Sequence, residues 1–159
     1  MSRAGLVLRE GLLFGAIAGV FTLVVRLVTL LATNRDTPTP LSSVVAPALI
    51  LLIVGGAARK MAMATRATGP AFQMGALAGG VSELIGNVLG GILISYLPVG
   101  RAAYAHLSPA ARRVASDPGM LIASLGVQLG LAILFGAMIG WIAAWARLRF
   151  GPPGEPPLK

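Results

Sequence analysis

The stretch GPAFQMGALAGGVSELIGNVLGGILISYLPVG, residues 69–100, decides the fold. Its central part, residues 71–97, is apolar or small almost throughout, and Glu83 is its one charged residue. A helix crossing roughly 30 Å of hydrocarbon needs about 20 such residues. Gly69-Pro70 opens the stretch and Pro98-Val99-Gly100 closes it, which is how a helix is bounded at both ends. The stretch therefore reads as a membrane-spanning helix.

Three more spans follow on either side. Residues 11–33 lie between the charged pair Arg9-Glu10 and the polar segment Asn34-Arg35-Asp36, and carry one charge, Arg26. Residues 41–58 stop at Arg59-Lys60, with Pro47 in their first turns, where the lost amide costs little. Residues 118–146 open on Asp117-Pro118, an N-cap followed by proline at the first helical position. Composition agrees over the whole chain. Of 159 residues 56% are hydrophobic and 11% charged, against about 25% charged in a soluble domain. Disorder is excluded by the apolar content, and a disulfide framework by the lack of cysteine. The net charge of +8 reads as basic loops holding a topology and not as a nucleic-acid surface.

The expected fold is an all-α integral membrane protein, a four-helix bundle. Between the third and fourth spans, Ser108-Pro109 leads into Ala110-Ala111-Arg112-Arg113, a short capped helix expected to lie at the membrane interface. The Pro/Gly-rich residues 151–159 are expected to be a disordered tail. With the N-terminus inside, the inner segments hold eight Lys and Arg and the outer segments four. That asymmetry puts both termini in the cytoplasm of a bacterial inner membrane, and Trp141 and Trp145 before Arg147 fit an inner aromatic belt. A cleaved signal peptide is not expected, since the first apolar run exceeds the usual h-region and contains Arg26.

Burial cannot drive helices together where the solvent is itself hydrocarbon, so close packing must. Small residues recur four apart: Gly11, Gly15 and Gly19 in the first span, Gly75 and Gly79, then Gly86 and Gly90, in the third. The fourth has Gly126 and Gly130, then Gly136 and Gly140. These are the expected packing positions, within the chain or between copies.

Charges inside a span are costly and kept for a reason. Arg26 and Glu83 are the two here, with Asn87 one turn after Glu83 and Gln128 in the fourth span. On a straight helix at about 100° per residue, Glu83 and Asn87 share the face of Gly79, Gly86 and Gly90. At about 1.5 Å per residue, Arg26 lies roughly 22 Å into its span and Glu83 roughly 18 Å into its own. An Arg26–Glu83 ion pair braced by Asn87 is the expected arrangement. It would be an internal lock that neutralises both charges. The alternative makes Glu83 a protonatable carboxylate in a small transporter or channel.

Enzyme chemistry has few residues to work with. His106, the only histidine, falls in the loop before the fourth span, and both aspartates, Asp36 and Asp117, lie at span ends. No catalytic residue, metal site or cofactor is expected.

The segment Gly69-Pro70-Ala71-Phe72-Gln73-Met74-Gly75 resembles the start of the third helix in a group of bacterial four-span membrane proteins of unknown function. These also have a basic inner loop before that helix and a helical insertion before the last. The resemblance implies the same topology and no activity. The expected function is a small non-enzymatic structural or accessory membrane protein, a subunit of a larger assembly or of itself, with the lipid bilayer as its surroundings.

Overall fold

The computed structural model describes residues 2–33 and 40–151. Within them every regular element is helical: α1 (Arg3–Thr33), α2 (Pro40–Thr65), α3 (Gly69–Glu83), a π-helical turn (Leu84–Leu89), α4 (Gly90–Tyr96), α5 (Pro98–Ala105), α6 (Pro109–Ser116) and α7 (Pro118–Phe150). Four stretches are long and apolar enough to cross a membrane: Arg3–Thr33, Ser43–Thr65, Gly69–Tyr96 and Pro118–Phe150. The segment from Asn34 to Asp36 and the tail from residue 152 lie outside the described residues.

Several helices outrun the spans read from hydropathy. α1 begins at Arg3, α2 continues to Thr65 and α7 to Phe150. Charge limits the part of a helix that sits in hydrocarbon, not the helix itself, because long basic side chains carry their heads to water while their stems stay on the helix. The segment before α7 also differs from expectation, forming two helices where one was read. Leu97 is extended (φ −78°, ψ 142°) and Pro98 starts α5 at once. The proline that closes one helix thus opens the next, as its fixed φ allows at a first helical position. Ser108 caps α6 by accepting from the Ala111 amide at 3.2 Å. Asp117 caps α7, its Oδ1 accepting from the Gly119 and Met120 amides at 2.8 and 3.2 Å.

The third span is the centre of the bundle, packing against α1, α2 and α7. A third (33%) of its apolar window is buried, against 11% of that in α7. The main core joins Val54, Ala58, Met61 and Ala62 of α2 to Ala71, Met74 and Ala78 of α3 and to Ala144 of α7. Alanine dominates it, so the backbones come close together. A second, smaller cluster of Leu30, Ile94 and Ala103 ties α5 back onto α1 and α4 at the other end.

Glycine positions explain how closely the helices approach. A methyl added at Gly15 would lie 2.8 Å from the Ala78 carbonyl oxygen, and one at Gly19 would lie 2.7 Å from Ile85 Cβ. Gly11 is covered by Leu77 in the same way, at 2.7 Å. On an adjoining face of α3, a methyl at Gly75 or Gly79, and on α7 one at Gly136 or Gly140, would collide with a backbone carbonyl of the facing helix. One face of α3 is thus fitted to α1 and the other to α7.

The π turn changes which residues share those faces. Straight-helix arithmetic groups Gly79, Gly86 and Gly90. In the structure Gly79 faces α7, whereas a methyl at Gly86 would meet Thr22 at 2.9 Å and one at Gly90 would meet Leu23 at 2.8 Å, both on α1. A π turn holds one more residue than an α turn, so everything beyond it lags by about one residue's 100°. That lag carries Gly90 from the α7 side to the α1 side, and Gly86, within the turn, already meets α1.

Candidate functional site

Just before the π turn stands Glu83, and inside it stands Asn87. The Asn87 side-chain amide donates to Glu83 Oε2 at 2.8 Å, a one-turn contact that brings a neutral donor onto the carboxylate. From α1, Arg26 Nη1 donates to the backbone carbonyl of Asn87 at 3.2 Å. Glu83, Asn87 and Arg26 are therefore brought together, but not as a direct ion pair. Glu83 takes its hydrogen bond from Asn87, and the arginine reaches the carbonyl of that same asparagine. The expected Arg26–Glu83 contact is replaced by a relay through one residue.

Local backbone geometry favours this arrangement. The Gly90 amide donates to Ile85 in the wider i→i+5 pattern and also to Asn87. A widened turn leaves its carbonyls imperfectly bonded, and a guanidinium is well suited to a partly bonded carbonyl. Gly90 and Gly91 make the room. A methyl at Gly91 would lie 3.5 Å from Arg26 Nη1 and one at Gly90 would lie 3.9 Å from it. The arginine head thus rests over two glycines of α4.

Gln128 is not part of this cluster. It is exposed on α7 and donates to Ser124 Oγ on its own helix at 3.2 Å. Gly126 and Gly130 likewise have nothing within 4 Å of an added methyl, so among the described residues they pack against no helix. Glu10 was read from the sequence only as a span boundary, yet it is buried (6% exposed) and paired with Arg9 at 2.9 Å. Its burial had a signal: Glu10, Phe14 and Ala18 recur four apart, and Ala18 is buried too.

Two cavities bear on the chemistry. One, of about 320 Å³, lies between Gly91, Ser95, Gly100 and Tyr104, beside the glycines that carry the Arg26 head. The other, of about 750 Å³, is a groove between α2 and α7. Glu83 lines neither of them. Among the described residues no three His, Cys, Asp or Glu side chains gather as metal ligands would.

This geometry defines a class: an all-helical protein with four helices long and apolar enough to cross a membrane, gathered around a central third span. Comparison of the chain with protein-family models, with curated proteins and with solved structures gives no match.

Proposed function

We propose that the chain is a small, non-enzymatic structural or accessory protein of a bacterial cytoplasmic membrane, with both termini cytoplasmic, working as a subunit of an assembly. The observation that carries this reading is the relay from Glu83 through Asn87 to Arg26. A carboxylate that binds or releases protons along a path needs water and freedom to change partners. Here it is held by an asparagine whose backbone is in turn held by another helix. That is the behaviour of a brace that fixes the position of α1 against α3.

The outer half of α7 supports the assembly part of the reading. A glutamine exposed on an apolar helix is poorly solvated by lipid and is satisfied by a neighbouring helix. Gln128 and Ser124 line one flank of α7, and Gly126 and Gly130 lie about 160° away on another. Both flanks are open to partners.

Proton flux tests the function. In proteoliposomes with an imposed pH gradient, the brace predicts no flux that depends on Glu83. A flux abolished by Glu83→Gln, in a variant that still folds, would replace it with the transporter reading. Topology has its own check, since the chain contains no cysteine. Single cysteines replacing Ser2 and Thr65 are expected to label from inside and one replacing Ser108 from outside. Labelling of the Ser108 position only after permeabilisation would reverse the orientation.

A further inference from the structure

The third span ends in a corner: α4 stops at Tyr96, Leu97 is extended, and α5 starts at Pro98. The crook of that corner holds the cavity of about 320 Å³. Ile94 and Ala103, both buried, line its depth, and Leu107 adds a third apolar wall. Ser95, Arg101 and Tyr104 are exposed and line its mouth. The Ser95 hydroxyl already donates to the Ile92 carbonyl at 2.6 Å. Arg101 and Tyr104 stand three apart on α5 and so are neighbours on its surface. Neither side chain has a hydrogen bond or ion pair among the described residues. Arg26 lies behind the Gly91 wall and is engaged with the Asn87 carbonyl, which leaves Arg101 as the cation the cavity offers. No acidic side chain lines it among the described residues.

We propose that this cavity binds a small monocarboxylate with an aliphatic body, its carboxylate on Arg101 and Tyr104 and its hydrocarbon against Ile94, Ala103 and Leu107. The site goes beyond the function proposed above, which assigns no ligand, and does not rest on the Glu83 brace. One guanidinium fork with a phenol beside it matches a planar, singly charged carboxylate. The apolar depth rewards an alkyl group, which an inorganic anion lacks. Size excludes larger occupants. The volume is at the lower end of the roughly 300–1,000 Å³ of small-molecule pockets. One turn of a helix, about 5.4 Å high and 10 Å across, takes up about 420 Å³, more than the cavity holds. Nor does the cavity present a bare glycine face on which a helix could pack. A methyl at Gly100 would collide with the Ile94 carbonyl, and one at Gly91 would meet Arg26 Nη1 at 3.5 Å.

Calorimetric titration of the full chain in phosphatidylcholine nanodiscs with hexanoate, hexanol and acetate, blanked with empty nanodiscs, tests the site. The parent is expected to bind hexanoate, and to bind hexanol at least about tenfold more weakly, since the charged hydrogen bonds are lost. Acetate is expected to lose about fourfold for each methylene removed. Arg101→Gln, at an exposed position, is expected to melt like the parent and to weaken hexanoate at least about tenfold. Tyr104→Phe should weaken it by about threefold to tenfold. Arg113→Gln on α6, outside the cavity, should change nothing, which separates the site from a general attraction of basic surface for anions. A parent that does not bind millimolar hexanoate would overturn the proposal. So would hexanol or acetate binding as well as hexanoate, or an Arg101→Gln variant that binds like the parent. Displacement of hexanoate by equimolar inorganic phosphate would make it a plain anion site. Displacement by a short-chain phosphatidylglycerol at lower concentration would give it to a lipid headgroup, and either result overturns the carboxylate assignment.

Discussion

Along α7, Gly136 and Gly140 lie beneath the backbone of α3, whereas Gly126 and Gly130, a pair about 15 Å away along the same helix, face open space. Spacing does not separate the two pairs, for each is a G-x-x-x-G, one flanked by Leu125 and Leu131 and the other by Phe135 and Trp141. Position in the bundle does. The inner half of α7 runs against α3 and α2, and its buried residues all fall between Gly136 and Ala144. In the preceding half Gln128 is exposed and Ser124 half-exposed, on the flank away from those open glycines. The same motif serves to close a bundle where a neighbouring backbone lies beneath it, and otherwise leaves a surface.

Substitution of the inner glycines should have the largest effect. Gly79→Leu and Gly136→Leu each force a side chain into a carbonyl of the facing helix, and a loss of about 3 kcal/mol or more is expected, at the upper end of overpacking costs. Thermal unfolding in detergent checks it. Parent-like melting would mean that α3 and α7 do not touch.

The polar relay comes next. Arg26→Leu and Glu83→Leu should each destabilise, and together they should cost less than their sum, with a coupling of about 0.5–3 kcal/mol. Asn87→Leu removes the link, and in its background the two effects should become additive. Coupling that survives Asn87→Leu would mean the charges act on each other directly. Glu83→Gln should be milder than Glu83→Leu, since the new amide oxygen still accepts from Asn87.

The outer glycines should affect assembly without affecting the fold. Gly130→Leu enters open space, so its effect on unfolding is expected to stay within about 0.5 kcal/mol, as for surface positions. Size-exclusion chromatography in mild detergent should show a smaller species if this flank meets a partner. An unchanged species would confine assembly to the Gln128 flank. The smallest effect is expected from Gln128→Leu on the isolated chain, a slight gain in stability. A clear loss would show that its bond to Ser124 contributes to the fold.

How much was legible in the sequence depended on the range of the signal. The four spans follow from hydropathy and length, and the starts of α6 and α7 from Ser108-Pro109 and Asp117-Pro118, because caps and desolvation act within a few residues. α5 is not legible in this way, because Pro98 both ends one helix and begins the next. The Glu83–Asn87 contact was readable as an i, i+4 pair, and the closeness of Arg26 from depth.

The sequence by itself determined the four long apolar helices and their order, since each rests on interactions along one helix. Tertiary structure decided the partners. It set Gly11, Gly15 and Gly19 against α3, gave Gly75 and Gly79 to α7, and left Gly126 and Gly130 with none. It also inserted the π turn that rotates Gly90 toward α1 and presents the Asn87 carbonyl to Arg26. Partner choice depends on the axial rotation of one helix relative to another. One added residue in a turn shifts that rotation by about 100°, and no spacing within a single helix records it.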